Sequence, residues 1–253
     1  MKKIFLPAFA AAMLFVSCKK DKAPDQAPAT GTKLLTKLTK TEGNKTTVFN
    51  FLYDNNKRLI SYKSTDNQVG IIFTYDAAGN IAKVEDTEDD YKTVYTYSYN
   101  NNIPVSATLK SWQKTAGEPD NLVEDDQLTY TLTNNQVSKI HVAFLQTADA
   151  ADFSLEYYSN GNLSKIVSTG GQGYTASFTY GNKKPVYPIV SRYILDQGGF
   201  SLQFAAKNEL LSLSYDFPGT QYDQSITTQY TYDANGYVLT SSDADAQIKY
   251  EYQ

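Results

Sequence analysis

The stretch Phe73-Thr74-Tyr75-Asp76-Ala77-Ala78-Gly79-Asn80-Ile81-Ala82-Lys83-Val84 restricts the fold of this chain more than any other feature. Apolar and polar residues alternate into a turn, so the first arm predicts a strand with one apolar face. Asp at the first turn position and Gly at the fourth suit a type I turn followed by a left-handed residue. The unit is therefore a hairpin. It recurs from Phe153 through Tyr157 and Gly161 to Ile166, and again as Tyr230-Thr231-Tyr232-Asp233-Ala234-Asn235-Gly236-Tyr237-Val238.

Turn anchors of this kind fall at Tyr53, Tyr75, Tyr99, Leu132, Tyr157, Tyr180, Phe204 and Tyr232. The first interval is 22 residues, and the outlier between Tyr99 and Leu132 is 33, an insertion running through Lys110 to Asp126. One hairpin with its return takes about 24 residues, so the chain predicts roughly sixteen to eighteen strands. The fold class is all-β: an antiparallel meander curled into a barrel or half-barrel that stands in water. Tyr95-Tyr97-Tyr99, Phe153-Leu155-Tyr157 and Phe200-Leu202-Phe204 share an aromatic face; Thr96, Ser98, Ser154, Glu156, Ser201 and Gln203 share its polar reverse. Thr74 and Ala82 fall on that reverse, opposite Phe73, Tyr75 and Ile81. A sheet with one aromatic and one polar face must curl or close to hide the first.

The turns vary. Gly79, Gly161 and Gly236 hold the position expected to be left-handed, which Lys57 occupies in the Tyr53 unit and Asn208 in the Phe204 unit. Asn100-Asn101-Asn102 and Asn134-Asn135 close two others, and the Tyr180 unit, with Gly181-Asn182-Lys183-Lys184-Pro185, has drifted furthest.

Ahead of the repeats, Met1-Lys2-Lys3 and the apolar run Ile4 to Val16 have the length of a signal peptide rather than of a membrane span. Leu14-Phe15-Val16-Ser17-Cys18 resembles the lipobox of bacterial lipoproteins, with Phe15 in place of the usual Leu. That resemblance implies a signal peptide at 1–17, a lipid on Cys18 and an outer-membrane location, periplasmic or surface-exposed. Residues 18–33 are charged and Pro-spaced and read as a tether. Residues 34–253 form a single repeat domain. The Tyr-Asp units resemble the YD repeats of Rhs-type proteins. Tyr75-Asp76 with Gly79 and Tyr232-Asp233 with Gly236 match in full, whereas Tyr53-Asp54 lacks the Gly. With the lipobox, the chain from Leu34 on is similar to Bacteroidetes lipoproteins described as having a porin-like β fold. That resemblance implies no catalytic residues.

The chain has one Cys and one His, His141, so neither a His-based triad nor a His/Cys metal site can be assembled. A formal charge of −4 argues against binding a nucleic-acid backbone. No cofactor is expected; Gly170-Gly171-Gln172-Gly173 lacks the Lys and helix of a phosphate loop. Two acidic runs, Glu85 to Asp90 and Glu124 to Asp126, read as solvated loops. Trp112, the single Trp, lies in the insertion near Glu118, Asp120 and Asn121. These residues suit either a sugar-stacking platform or a plug across the barrel mouth. The expected function is a lipid-anchored, non-enzymatic module for an envelope glycan, peptide or protein. The alternatives are a polysaccharide hydrolase using Asp/Glu pairs and a structural spacer.

Overall fold

The computed structural model describes residues 33–170, 173–196 and 200–253; the signal peptide, Cys18 and the tether up to Thr32 lie outside the described residues. Seventeen strands make one sheet. The first hairpin is β1 (Leu35–Glu42) and β2 (Lys45–Tyr53), followed by β3 (Leu59–Ser64), β4 (Val69–Tyr75), β5 (Ile81–Glu88) and β6 (Tyr91–Asn100). The long pair β7 (Ile103–Gln113) and β8 (Asn121–Thr133) absorbs most of the insertion. Then come β9 (Gln136–Phe144), β10 (Asp149–Tyr157), β11 (Leu163–Thr169) and β12 (Thr175–Tyr180). After a break follow β13 (Leu210–Asp216), β14 (Gln224–Thr227), β15 (Gln229–Tyr232), β16 (Val238–Ser242) and β17 (Ala246–Tyr252).

Each strand pairs antiparallel with the next from β1 to β14, and β17 returns to pair with β1. An antiparallel ring needs an even number of passes, because direction must alternate all the way round. Only Thr228 separates β14 from β15, and its amide donates to the Leu211 carbonyl at 2.9 Å. These two are one interrupted strand, whose first half pairs with β13 and whose second half pairs with β16. The ring therefore has an even count, and it closes.

The two ends of the barrel are built differently. At the end carrying the Tyr-Asp turns, the register slips by one residue at each return, for example between Thr74 and Tyr75 and between Glu156 and Tyr157. The unpaired residue is Ile60 after Tyr53, Ala82 after Tyr75, Val105 after Tyr99 and Leu239 after Tyr232. Lys83, not Ala82, thus pairs with Thr74, because Ala82 is the residue the bulge leaves over. The slip recurs where β17 meets β1, with Leu35 opposite Tyr252 and Thr36 left over. Tyr252 is therefore an anchor of the ring, and Phe204 is not.

Tyrosine hydroxyls hold this end together. Tyr53 donates to the Leu35 carbonyl, Tyr75 to Leu59, Tyr157 to Val137 and Tyr230 to Leu210, at 2.7 to 2.8 Å. Leu35, Leu59, Val137 and Leu210 each stand just before the bulged residue of the preceding unit. The ladder is interrupted there, and the next hairpin's tyrosine supplies a donor. The aspartate acts within its own turn. Asp76 Oδ1 accepts the Asn80 amide, and Asp233 Oδ1 accepts those of Asn235 and Tyr237. Gly79, Gly161 and Gly236 have φ of 87°, 86° and 77°, and Lys57 shares the left-handed region at 61°. Asn101, Asn102, Asn134 and Asn135 are left-handed too, giving the turn type that two successive Asn favour.

The Phe200–Phe204 segment departs most from the alternating pattern. It is a short helix, α1, rather than a strand. The connection from β12 to β13 leaves the sheet, and its described residues, 181–196 and 200–209, pass into the lumen. Phe204 and Leu195 there are fully buried, and they belong to the same core cluster as Phe51, Phe73 and Ile140 of the wall. The strand count holds nonetheless, because the inserted segment occupies a single connection.

A β-branched side chain strains at positive φ, so Gly236→Val is expected to cost about 1 kcal/mol or more in chemical denaturation. A Cβ there would meet nothing nearer than Lys183 at 3.7 Å. The loss should therefore be conformational, and Gly236→Asn should recover most of it. Tyr157→Phe keeps the ring but strips the Val137 carbonyl of its donor. It should lower stability by roughly 1 kcal/mol.

Candidate functional site

The inserted segment determines what the lumen can do. Lys183 and Lys184 begin it at the tyrosine-turn end, where the Lys183 amide donates to the buried Glu209 carboxylate at 2.8 Å. Tyr187 then packs against Phe51, Tyr62 and Phe204, with ring centroids 5.2 to 6.2 Å apart. Arg192 reaches the Asn102 carbonyl, and the Tyr193 hydroxyl reaches Asn135, on the far wall. Leu195 offers its carbonyl to the Tyr130 hydroxyl at 2.8 Å. Lys207 and Asn208 then fasten to Asn162 on the way out. The segment braces opposite walls, so the lumen is occupied by the chain itself.

Asp196 is the charged residue at the centre of this filling. It is 1% exposed, and its Oδ2 accepts the Ser201 amide at 3.1 Å. Burial pushes the phenols of Tyr95, Tyr97 and Tyr130 well above their usual range, and the Asp196 charge adds to it.

The opposite end, the mouth, is acidic. The run Glu85 to Glu88 is a strand and not a loop, so its side chains alternate. Glu85 points outward to Lys83 at 2.6 Å and Lys92 at 3.2 Å. Asp86 shares the inward face with Val84. Burial first, then the charges of Glu88 and Asp196, raise its carboxyl to about 7. The second run behaves alike: Asp125 is outward on Lys110 at 3.0 Å, while Asp126 is inward and buried beside Leu109. Beyond them the rim carries exposed carboxylates on several returns, among them Asp89, Asp90, Asp149, Asp223 and Asp245.

Trp112, Glu118, Asp120 and Asn121 fall at the outer edge of this rim. Trp112 is half-buried on the outer wall, opposite Lys92 and Leu122, and does not cross the mouth. The segment that fills the barrel is 181–209 instead, and this corrects the expectation of a Trp112 plug. Asn121 pairs with Gln113 at the strand ends, while Glu118 and Asp120 stand exposed in the connecting turn. His141 is on the outer wall, its Nδ1 2.8 Å from Asp152. Among the described residues, no group of three His, Cys, Asp or Glu is placed to hold a metal ion.

These features define a class: a closed up-and-down antiparallel barrel, filled by one of its own connections, with a polar wall and an acidic mouth. Solved structures share the fold. A porin-like protein from Bacteroides vulgatus matches 88% of this chain and 99% of its own, at a TM-score of 0.57 and 11% identity. One from Bacteroides uniformis matches 87% and 98%, at 0.53 and 16%. No protein family and no curated protein matches the chain.

Asp86 gives a test with a definite sign. Its folded pKa of about 7 lies above that of an unfolded aspartate, near 4. Its contribution is full below about pH 4 and is lost as the pH rises through about 7. Asp86→Asn should therefore stabilise the protein at pH 8 by about 1–3 kcal/mol, with the gain fading towards pH 4 in thermal denaturation.

Proposed function

We propose that this chain is a lipid-anchored envelope protein whose barrel stands in water and serves as a non-enzymatic binding module. Its acidic rim takes a cationic peptide or a basic protein surface. The observation that carries this reading is the pairing of a filled lumen with an ion-paired wall. A barrel in lipid presents an apolar band at mid-height. The outer face of this wall instead carries the ion pairs Lys83–Glu85–Lys92, Lys110–Asp125 and Lys139–Asp152, among threonines and serines. Described residues of the 181–209 connection pack inside the barrel, and the open rim is where a partner can be met. The porin-like description of the Bacteroides proteins supports an envelope setting. Cys18, one tether length ahead of Lys33, supplies the membrane attachment.

The test offers residues 19–253 to an array of basic peptides, acidic peptides and glycans. Salt-sensitive retention on basic peptides, lost on replacing Asp89, Asp90, Asp149 and Asp223 by Asn, is the expected result. Binding to neutral glycans that ignores those replacements would instead select a sugar ligand. In cells, Cys18→Ala should move the protein out of the detergent-rich phase.

One observation favours a second reading, hydrolysis of a polysaccharide. A carboxyl raised to about 7 beside other carboxylates is the arrangement a glycosidase uses for its acid. Release of reducing sugar from envelope polysaccharide, abolished by Asp86→Asn, would establish it.

A further inference from the structure

Charge and exposed apolar surface are distributed very unevenly along the barrel axis. At the tyrosine-turn end, Lys57, Lys183, Lys184, Arg192 and Lys207 are exposed. The aspartates of that end are consumed by the turns. Asp54 accepts the Asn56 and Arg58 amides, Asp76 that of Asn80, and Asp233 is held by Lys33 at 2.6 Å. Glu209 is buried. Among the described residues, no return at this end carries an exposed carboxylate. The exposed carboxylates of the returns collect at the mouth.

The same end also shows the largest share of exposed apolar groups: Leu52, Ile103, Val105, Tyr158, Ile189 and Leu239, each at least 40% exposed. The bulges account for two of them, since Val105 and Leu239 are the residues the register slip leaves over. Finally, the described chain starts here. The Lys33 amide donates to the Tyr237 hydroxyl, and Leu34 exchanges backbone hydrogen bonds with Gln253.

We propose that this end is a membrane-docking surface that rests on a bilayer with anionic headgroups, and that it does so without help from the acyl chain. Lysine and arginine are attracted to such a surface, while isolated aliphatic and tyrosine side chains settle at headgroup depth. The N-terminal segment leaving from the same end fits a barrel that stands on the membrane. The acidic mouth is then turned away from the lipid, where like charge would repel it.

The barrel closes on itself within residues 34–253, so a chain from residue 19, without Cys18, retains every strand pairing. This chain is sedimented with vesicles of phosphatidylcholine alone and with vesicles in which phosphatidylglycerol replaces part of it. Binding is expected only to the anionic vesicles, weakening with salt and resisting competition by inorganic phosphate. Replacing Lys57, Lys183, Arg192 and Lys207 by Gln should weaken it by on the order of a thousandfold. Replacing Lys40, Lys92, Lys110 and Lys139 of the wall removes the same charge and should change it little. The proposal is overturned if anionic vesicles do not bind, if both sets of replacements act alike, or if free phosphate competes. Because Cys18 is absent throughout, failure here leaves the lipid-anchor reading standing.

Discussion

The barrel depends on one contact repeated around its rim: a tyrosine hydroxyl donating to a carbonyl at the preceding bulge. Each hairpin return at the tyrosine end forces its two strands out of step by a residue, so a ladder of backbone hydrogen bonds alone would be broken once in every unit. Tyr53, Tyr75, Tyr157 and Tyr230 each repair the interruption left by the unit before. Phenylalanine would fill the same space without the repair, which favours Tyr over Phe at these four positions. Bulges at every return of this end also increase strand twist there, and such twist favours closure of a sheet this wide.

Closure raises a second requirement. A ring of so many strands encloses more space than its own side chains fill, and porins of similar strand number hold water there. Here the β12–β13 connection fills it, so aromatic rings on the inner wall find partners in Tyr187 and Phe204. The filling places Asp196 deep among tyrosines, where its charge helps to raise the carboxyl of Asp86. Wall, filling and charge polarity thus follow from the same geometry.

Much of this is legible in the residues. The repeat announces the hairpins, the glycines announce left-handed turns, and the alternation predicts which face is aromatic. Drift in the Tyr180 unit marks the place where the chain leaves the sheet. Phe200 to Phe204 mislead because alternation over five residues reads as a strand, and only an enclosed lumen makes a short helix the better packing. The acidic run at Glu85 has the composition of a loop, and plain alternation from Ile81 would turn Glu85 inward; the bulge at Ala82 shifts the phase, so that Val84 and Asp86 face inward instead. Asp196 leaves no signal: it lies outside the repeat, and its burial depends on a lumen that exists only once the ring has closed. Trp112 stands out as the single Trp, yet its position across from Lys92 is a matter of register that residue type does not encode.

The seam between β17 and β1 has the same slipped register as the covalent returns, with Leu35 opposite Tyr252. Topologically the ring has no first strand. Its termini are a gap in a circle, and the choice of which return to leave open is separate from what holds the circle together. A circularly permuted chain, joined from Gln253 to Leu34 and opened at another return, keeps every pairing. The natural opening nevertheless has a kinetic consequence: β1 must wait for the last strand to be made before its second edge is covered. Until then the sheet has two open edges, and the interval before closure is when a newly made chain is most exposed to mispairing.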